Sequence, residues 1–206
     1  MSTPTAYAPP PVREQPTWEI AELFPSQGHW SEGDYLALET NRLVEFSNGY
    51  IEVLPMPSIS HQFISLYLYR LLYNFVSSLA LGTVLTAPAK VRLWRGKYRE
   101  PDLFLLLAQS ARRIHEQYVD GADLVMEVVS GGARDRDRDW IEKRQEYAQA
   151  GIPEYWIVDP ETETVTVLAL EGGEYAEYGE FCRGETATSK LLPGFVVLVD
   201  DVFDAQ

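Results

Sequence analysis

Two short apolar runs in this chain each carry one carboxylate, and this constrains the fold more than any other feature. Asp102 opens Asp102-Leu-Phe-Leu-Leu-Leu107, and Glu127 lies inside Leu124-Val-Met-Glu-Val-Val129. An apolar strand buries what it carries, and an ionised carboxylate is costly to bury unless it is paired or bound to a metal. Neither acid has an obvious partner close by in sequence, so a shared partner in space is expected. Strand alternation puts Asp102, Phe104 and Leu106 on one face, and Glu127 with Val129 on one face of the other run. If the two strands are neighbours, both carboxylates meet over one side of a sheet. With water and substrate oxygens, such a pair suits Mg²⁺ or Mn²⁺, hard ions that keep several waters.

The rest of the chain reads as mixed α/β. A short helix is expected at Tyr35–Leu38. Asn48-Gly49 lies between two β-prone runs in Arg42–Leu54, the strongest short hairpin signal a sequence offers. Ser60 is a plausible N-cap for a long helix to about Leu79, with Ile64, Leu68, Leu71, Leu72, Phe75 and Val76 at helical spacing. A second hairpin is expected from Val84–Trp94 and Tyr98–Leu107 around Arg95-Gly96-Lys97, with Pro101 marking an edge or a bulge. A short helix near Ala108–His115 precedes the strand at 122–129. The charged segment Asp139–Ala150 reads as a helix stopped by Gly151 and Pro153. Glu154–Asp159 is a strand, Val165–Leu170 and Tyr175–Phe181 form a hairpin, and Leu192–Asp200 reads as a last strand. No internal repeat or domain boundary stands out. The expectation is one domain over residues 17–206, preceded by a loose Pro-, Ala- and Thr-rich arm at 1–16.

Charge narrows the function. The chain carries a formal net charge of −14, which argues against simple coating of nucleic acid, where phosphate neutralisation dominates. The distribution is uneven: residues 81–150 hold 12 bases and 11 acids, whereas residues 151–206 hold 2 bases and 12 acids. Lys90, Arg92, Arg95, Lys97 and Arg99 form a strip of five bases without an acid. That strip could track a phosphate backbone, or it could be a solvated hairpin. No apolar run approaches the length of a membrane span. The single cysteine, Cys182, cannot form an internal disulfide, which fits a reducing, cytoplasmic setting.

Lys143 is the third element of the site. On its helix it shares a face with Asp139 and Tyr147, four residues away on either side. Facing a metal site, a lysine can orient the attacking water or stabilise transition-state charge. The bland alternative is an exposed pair with Asp139, worth only about 0.3–0.5 kcal/mol.

These residues resemble a family. Pro101-Asp102 followed by Glu127 on an apolar strand is similar to the PD-(D/E)XK restriction-endonuclease-like superfamily. More narrowly, the chain resembles the Uma-type restriction endonucleases common in cyanobacteria. The resemblance is carried by Val44-Glu-Phe-Ser-Asn-Gly-Tyr-Ile-Glu52, His61, Glu100-Pro-Asp102, Met126-Glu-Val-Val-Ser130 and Glu142-Lys-Arg-Gln-Glu-Tyr147. It continues in Gly151-Ile-Pro-Glu-Tyr-Trp-Ile-Val-Asp-Pro160 and Leu192-Pro-Gly-Phe195. One departure matters. The superfamily's usual lysine stands two residues after the acid, where this chain has Val129; in the Uma-type pattern it moves to the following helix, at Lys143.

The resemblance implies a central mixed sheet flanked by helices, with additional hairpins at both ends. It implies a Mg²⁺- or Mn²⁺-dependent endonuclease acting on nucleic acid, DNA first among the substrates. Asp102, Glu127 and the backbone carbonyl of Val128 would hold the metal, with Lys143 serving water or transition state. Glu52, His61 and Tyr147 are candidate accessory residues, each with a plainer reading as surface or packing; Glu45 reads equally as hairpin surface. Homodimerisation would suit a duplex with two strands to cut, and apolar edge hairpins invite pairing. The rival reading is a binding module that keeps the fold without useful turnover.

Overall fold

The computed structural model describes residues 23–206, so the expected arm at 1–16 lies outside the described residues. Capping chemistry sets the first helix, α1 (Glu32–Leu36): the Ser31 side chain accepts from Asp34 N, and the Asp34 side chain answers at the Ser31 backbone. The first hairpin, β1 (Val44–Ser47) and β2 (Tyr50–Val53), turns on Asn48 and Gly49, both at positive φ (48° and 90°). Two such residues match the right-handed twist of the flanking strands, which is why Asn-Gly reads so clearly.

The long helix α2 (Ile59–Ser78) is capped two residues earlier than expected, because Ser58 rather than Ser60 accepts from the His61 backbone N–H. Its inner face presents His61, Ile64, Leu68, Leu72 and Val76. These pack beneath a six-stranded sheet built from β3 (Gly82–Thr86), β6 (Leu103–Leu107), β8 (Leu124–Val128), β9 (Glu154–Asp159), β10 (Thr164–Glu171) and β11 (Glu174–Cys182). The strand order is β11-β10-β9-β8-β6-β3, mixed because β8 and β9 run parallel and their neighbours antiparallel. Leu103, Leu105, Leu124, Met126 and Val128 face α2, whereas Phe104, Leu106, Val125 and Val129 pack on the opposite side with Tyr147 and Tyr155. Both faces are therefore covered.

The expected second hairpin is divided between two sheets. β4 (Val91–Trp94) and β5 (Lys97–Arg99) pair around Gly96 in a five-stranded sheet of order β2-β1-β5-β4-β7, where β7 is Val119–Asp120. The outer parts of the same ribbon, β3 and β6, pair in the six-stranded sheet. The breaks fall at Pro88 and Pro101, which lack the N–H that a continuing ladder needs. Asp102 thus stands at the seam between the sheets.

The expected short helix near Ala108–His115 is a 3₁₀ segment, Ala108–Arg113. The expected helix at Asp139–Ala150 begins earlier: α3 (Ala133–Asp137) runs into a π-helical turn (Arg138–Lys143) and then α4 (Arg144–Gln149). The expected final strand is only three residues long. β12 (Thr186–Thr188) pairs with β13 (Val196–Leu198), and the chain then turns into α5 (Val199–Phe203). Asp200 and Asp201 in the first turn of α5 favour that helix, and Val199 and Val202 bury its inner side.

Close strand packing leaves one position without space. A Cβ on Gly82 would stand 2.0 Å from the Leu106 carbonyl oxygen, whereas one on Gly131 would meet nothing within 4 Å. Gly82→Ala should cost about 1–3 kcal/mol, read as a lower urea midpoint at unchanged slope. Gly131→Ala should stay within about 0.5 kcal/mol of wild type. Equal stability of the two variants would contradict the register assigned to β3 and β6.

Candidate active site

The register of β6 and β8 pairs Leu103 with Met126, so Asp102 and Glu127 come next to each other at the strand ends. The Asp102 backbone N–H points to Glu127 Oε2 at 3.4 Å, and the Val128 N–H donates to Asp102 Oδ2 at 2.8 Å. Each carboxylate is thus held against a backbone N–H of the neighbouring strand or its approach. Tyr147 on α4 donates its hydroxyl to Glu127 Oε1 at 2.6 Å. Lys143 places Nζ 2.9 Å from Glu127 Oε1 and 2.8 Å from Asp139 Oδ1. His61, from the first turn of α2, reaches across with Nε2 3.1 Å from Asp102 Oδ2. Asp102, Glu127, Lys143, His61 and Tyr147 therefore converge, from two strands and two helical segments.

Burial sets the electrostatics. It pushes the Glu127 carboxyl up to about 7, with Asp102 and Asp139 adding to the effect and Lys143 opposing it. Burial also works against the Asp102 anion, but His61, Lys143 and the Val128 N–H outweigh it and hold this carboxyl below its usual range. For Lys143, burial is overcome by Asp139 and Glu127, so its pKa rises and the group stays an ammonium ion. Burial raises the Asp139 carboxyl despite the charge of Lys143.

Asp139 is a site neighbour that the sequence offered only as a surface partner of Lys143. The i,i+4 spacing was visible; burial of the pair beneath Tyr155, whose hydroxyl donates to the Asp139 carbonyl at 3.0 Å, was not. Glu45 is likewise buried beside Lys143 rather than on the hairpin surface. Its cross-strand partner Glu52 instead pairs with exposed Arg134 at 2.8 Å and makes no hydrogen bond to Asp102, Glu127 or Lys143.

The basic strip does not form one face. Lys97 and Arg99 point inward and are buried. Arg99 pairs with Glu45 and, through Nε at 2.7 Å, with Glu146 of α4; Lys97 lies 2.5 Å from Glu146. These pairs tie β5 to the helix that follows Lys143. Lys90 lies over the Tyr35 ring, and Arg92 is held by Asp120 at 2.7 Å; of the five bases only Arg95 is exposed. Alternation along β5 turns Lys97 and Arg99 toward acids that are remote in sequence.

Among the described residues no group of three or more His, Cys, Asp or Glu side chains is arranged to hold a metal ion. The acid pair still fits an ion that brings its own waters. Its oxygens are hard donors, Asp102 Oδ1 accepts nothing from the described residues, and a cation would relieve the crowded charge that raises Glu127. His61 lines two cavities, the first of which Asp102 also lines. One, of about 350 Å³, includes Arg42, Met56 and Leu66; the other, of about 520 Å³, includes Ser130, Asp135, Asp159 and Glu161.

A mixed sheet with adjacent acids at the ends of neighbouring strands, faced by a lysine from the next helix, defines a restriction-endonuclease-like fold. The family model Uma2, described as "Putative restriction endonuclease", matches residues 33–200, and the chain belongs to that family. Among solved structures, the fold is similar to a putative nuclease of the DUF820 family from Anabaena variabilis. That match has 16% identity and a TM-score of 0.68, and covers 85% of this chain and 98% of the other. No curated protein matches the chain significantly. No helix among the described residues is long and apolar enough to cross a membrane.

The seam also buries Glu100, whose Oε2 accepts from the Val44 N–H at 3.1 Å. Burial, with Glu45 adding, pushes this carboxyl from 4.5 up to about 7. The folded state therefore holds the Glu100 proton more tightly than the unfolded chain. That costs nothing below about pH 4.5, and stability falls as pH rises toward 7, by up to roughly 3 kcal/mol. Glu100→Gln keeps an acceptor for Val44 and should remove this slope. In urea titrations its advantage over wild type should be larger at pH 8 than at pH 5; a constant difference would refute the assignment.

Proposed function

We propose that this chain hydrolyses phosphodiester bonds in DNA with Mg²⁺ or Mn²⁺, using Asp102, Glu127 and Lys143. The supporting observation is the junction itself: two strand-end acids, one facing the Asp102 N–H and the other held by the Val128 N–H, with a buried ammonium group 2.9 Å from Glu127. Asp102 and Glu127 would hold the ion, with the Val128 carbonyl as a third donor. Its contribution when bound is charge, which polarises the phosphate, acidifies the attacking water and balances the departing oxygen.

The chain's own groups divide the remaining work. Held as an ammonium ion, Lys143 has no lone pair to accept a proton, so its part is electrostatic stabilisation of charge building on the phosphate. Asp139 and Glu127 aim that ammonium group from two sides. Tyr147 fixes Glu127 Oε1, and His61 braces Asp102 Oδ2. A duplex presents two strands, and two copies of the chain would bring one site to each.

One observation favours the rival reading of a binding module. The larger cavity beside His61 includes Asp135, Asp159 and Glu161, which do not attract phosphate. The test is cleavage of supercoiled plasmid with Mn²⁺ by wild type, Asp102→Ala and Lys143→Ala, with matched melting curves. Wild type should nick the plasmid, and each variant should fall by at least about a hundredfold. Equal nicking by all three would remove these residues from the reaction. Absence of both nicking and Mn²⁺ binding by wild type would favour the module instead.

A further inference from the structure

The outer face of α2 carries a second apolar stripe. Ile59, Phe63, Leu66 and Tyr73 are 74%, 39%, 54% and 47% exposed, although the opposite face of the same helix already packs into the core. A surface helix normally gives its outer side to charged and polar residues. Here Ile59, Phe63, Leu66, Arg70 and Tyr73 follow one another at spacings of four, three, four and three, the rhythm of a helix–helix seam. Met56, 60% exposed, shares a cavity wall with Leu66 and extends the apolar patch beyond the helix start.

Two features of the stripe select a second copy of this chain as its occupant. The first is charge. A chain of net −14 repels itself over most of its surface, but α2 contains no Asp or Glu in 20 residues and only Arg70 as a fixed charge. The second is symmetry. Ile59 and Tyr73 both lie seven residues from Leu66, with Phe63 three before it and Arg70 four after, so the stripe comes within one residue of matching itself when reversed about Leu66. A two-fold contact needs such self-complementarity.

We propose that α2 is the two-fold interface of a homodimer, with antiparallel helices crossing at Leu66. Ile59 of each copy then meets Tyr73 of the other, and Arg70 comes to the Phe63 ring, a favourable cation–aromatic contact. Met56 and Leu66 also line the smaller cavity, which Asp102 lines too, so the second copy covers that cavity.

The test uses the full chain and needs no nuclease activity, so its failure is separate from failure of the proposed reaction. Sedimentation velocity over a wide concentration range should show a monomer–dimer equilibrium. Leu66→Glu places two carboxylates at the axis and should weaken association by about a hundredfold or more, with an unchanged circular dichroism spectrum. In a Cys182→Ser background, Leu66→Cys should cross-link to itself on mild oxidation, because the axis brings the two positions within disulfide reach. Ile59→Cys alone should not cross-link, but should do so when mixed with Tyr73→Cys. A wild-type monomer at every concentration would overturn the proposal and leave the stripe to another occupant. So would a dimer that survives Leu66→Glu without a Leu66→Cys cross-link.

Discussion

A lysine ammonium group buried between two carboxylates is the interaction on which this architecture rests. Lys143, Glu127 and Asp139 are each 2–3% exposed, and none could be left there alone. Removing charges from water costs several kcal/mol per ion, and only close, oriented partners offset that cost. The helix must therefore deliver Lys143 to the strand end, and its π-helical turn, Arg138–Lys143, lies at that point. Such turns widen a helix locally and recur at functional sites. Here the turn seats both Asp139 and Lys143 over the acid pair while Tyr147, one turn later, still reaches Glu127.

A second buried set of charges holds that helix in place. Arg99 bridges Glu45 and Glu146, and Lys97 adds to Glu146, so the five-stranded sheet grips α4 through ions rather than apolar packing alone. The two sheets share one ribbon, broken at Pro88 and Pro101. Asp102 follows the second break directly, which is why it stands at the seam where His61 of α2 and the Val128 N–H of β8 reach it and the charge of Lys143 acts on it. A proline that ends a ladder on one side of the seam thereby positions an acid on the other.

Much of this was legible in the sequence for identifiable reasons. Asn48-Gly49 fixes its hairpin because only residues tolerant of positive φ fit a two-residue turn. The acid pair could be read because apolar strands leave a carboxylate few places to go. What escaped were partners decided by tertiary contact. Lys97 and Arg99 looked like a phosphate track because alternation cannot say which face of a strand meets Glu45 and Glu146. The shift from Ser60 to Ser58 is a local matter, since both serines precede the same apolar stripe and only one is placed to cap the His61 N–H. The expected terminal strand read the valines of 196–199 as one extended run, whereas the acidic pair after them starts a helix.

The distribution of charge also bears on how such a site could meet its substrate. Most bases of the central segment are paired with acids: Arg92 with Asp120, Arg113 with Asp123, Arg136 with Asp159, Arg138 with Asp135 and Lys143 with Glu127. Long-range attraction to a phosphate backbone is consequently weak, because few uncompensated cations remain to release counterions. Substrate capture would then depend on short-range contacts at the acid pair, where a phosphate and a divalent cation neutralise charge that each alone would leave unbalanced. In such an arrangement cation and phosphate bind as mutual conditions. On the proposed reading, the acidic surface would serve as a filter, disfavouring indiscriminate binding along a duplex and reserving affinity for the few positions where the seam can be reached.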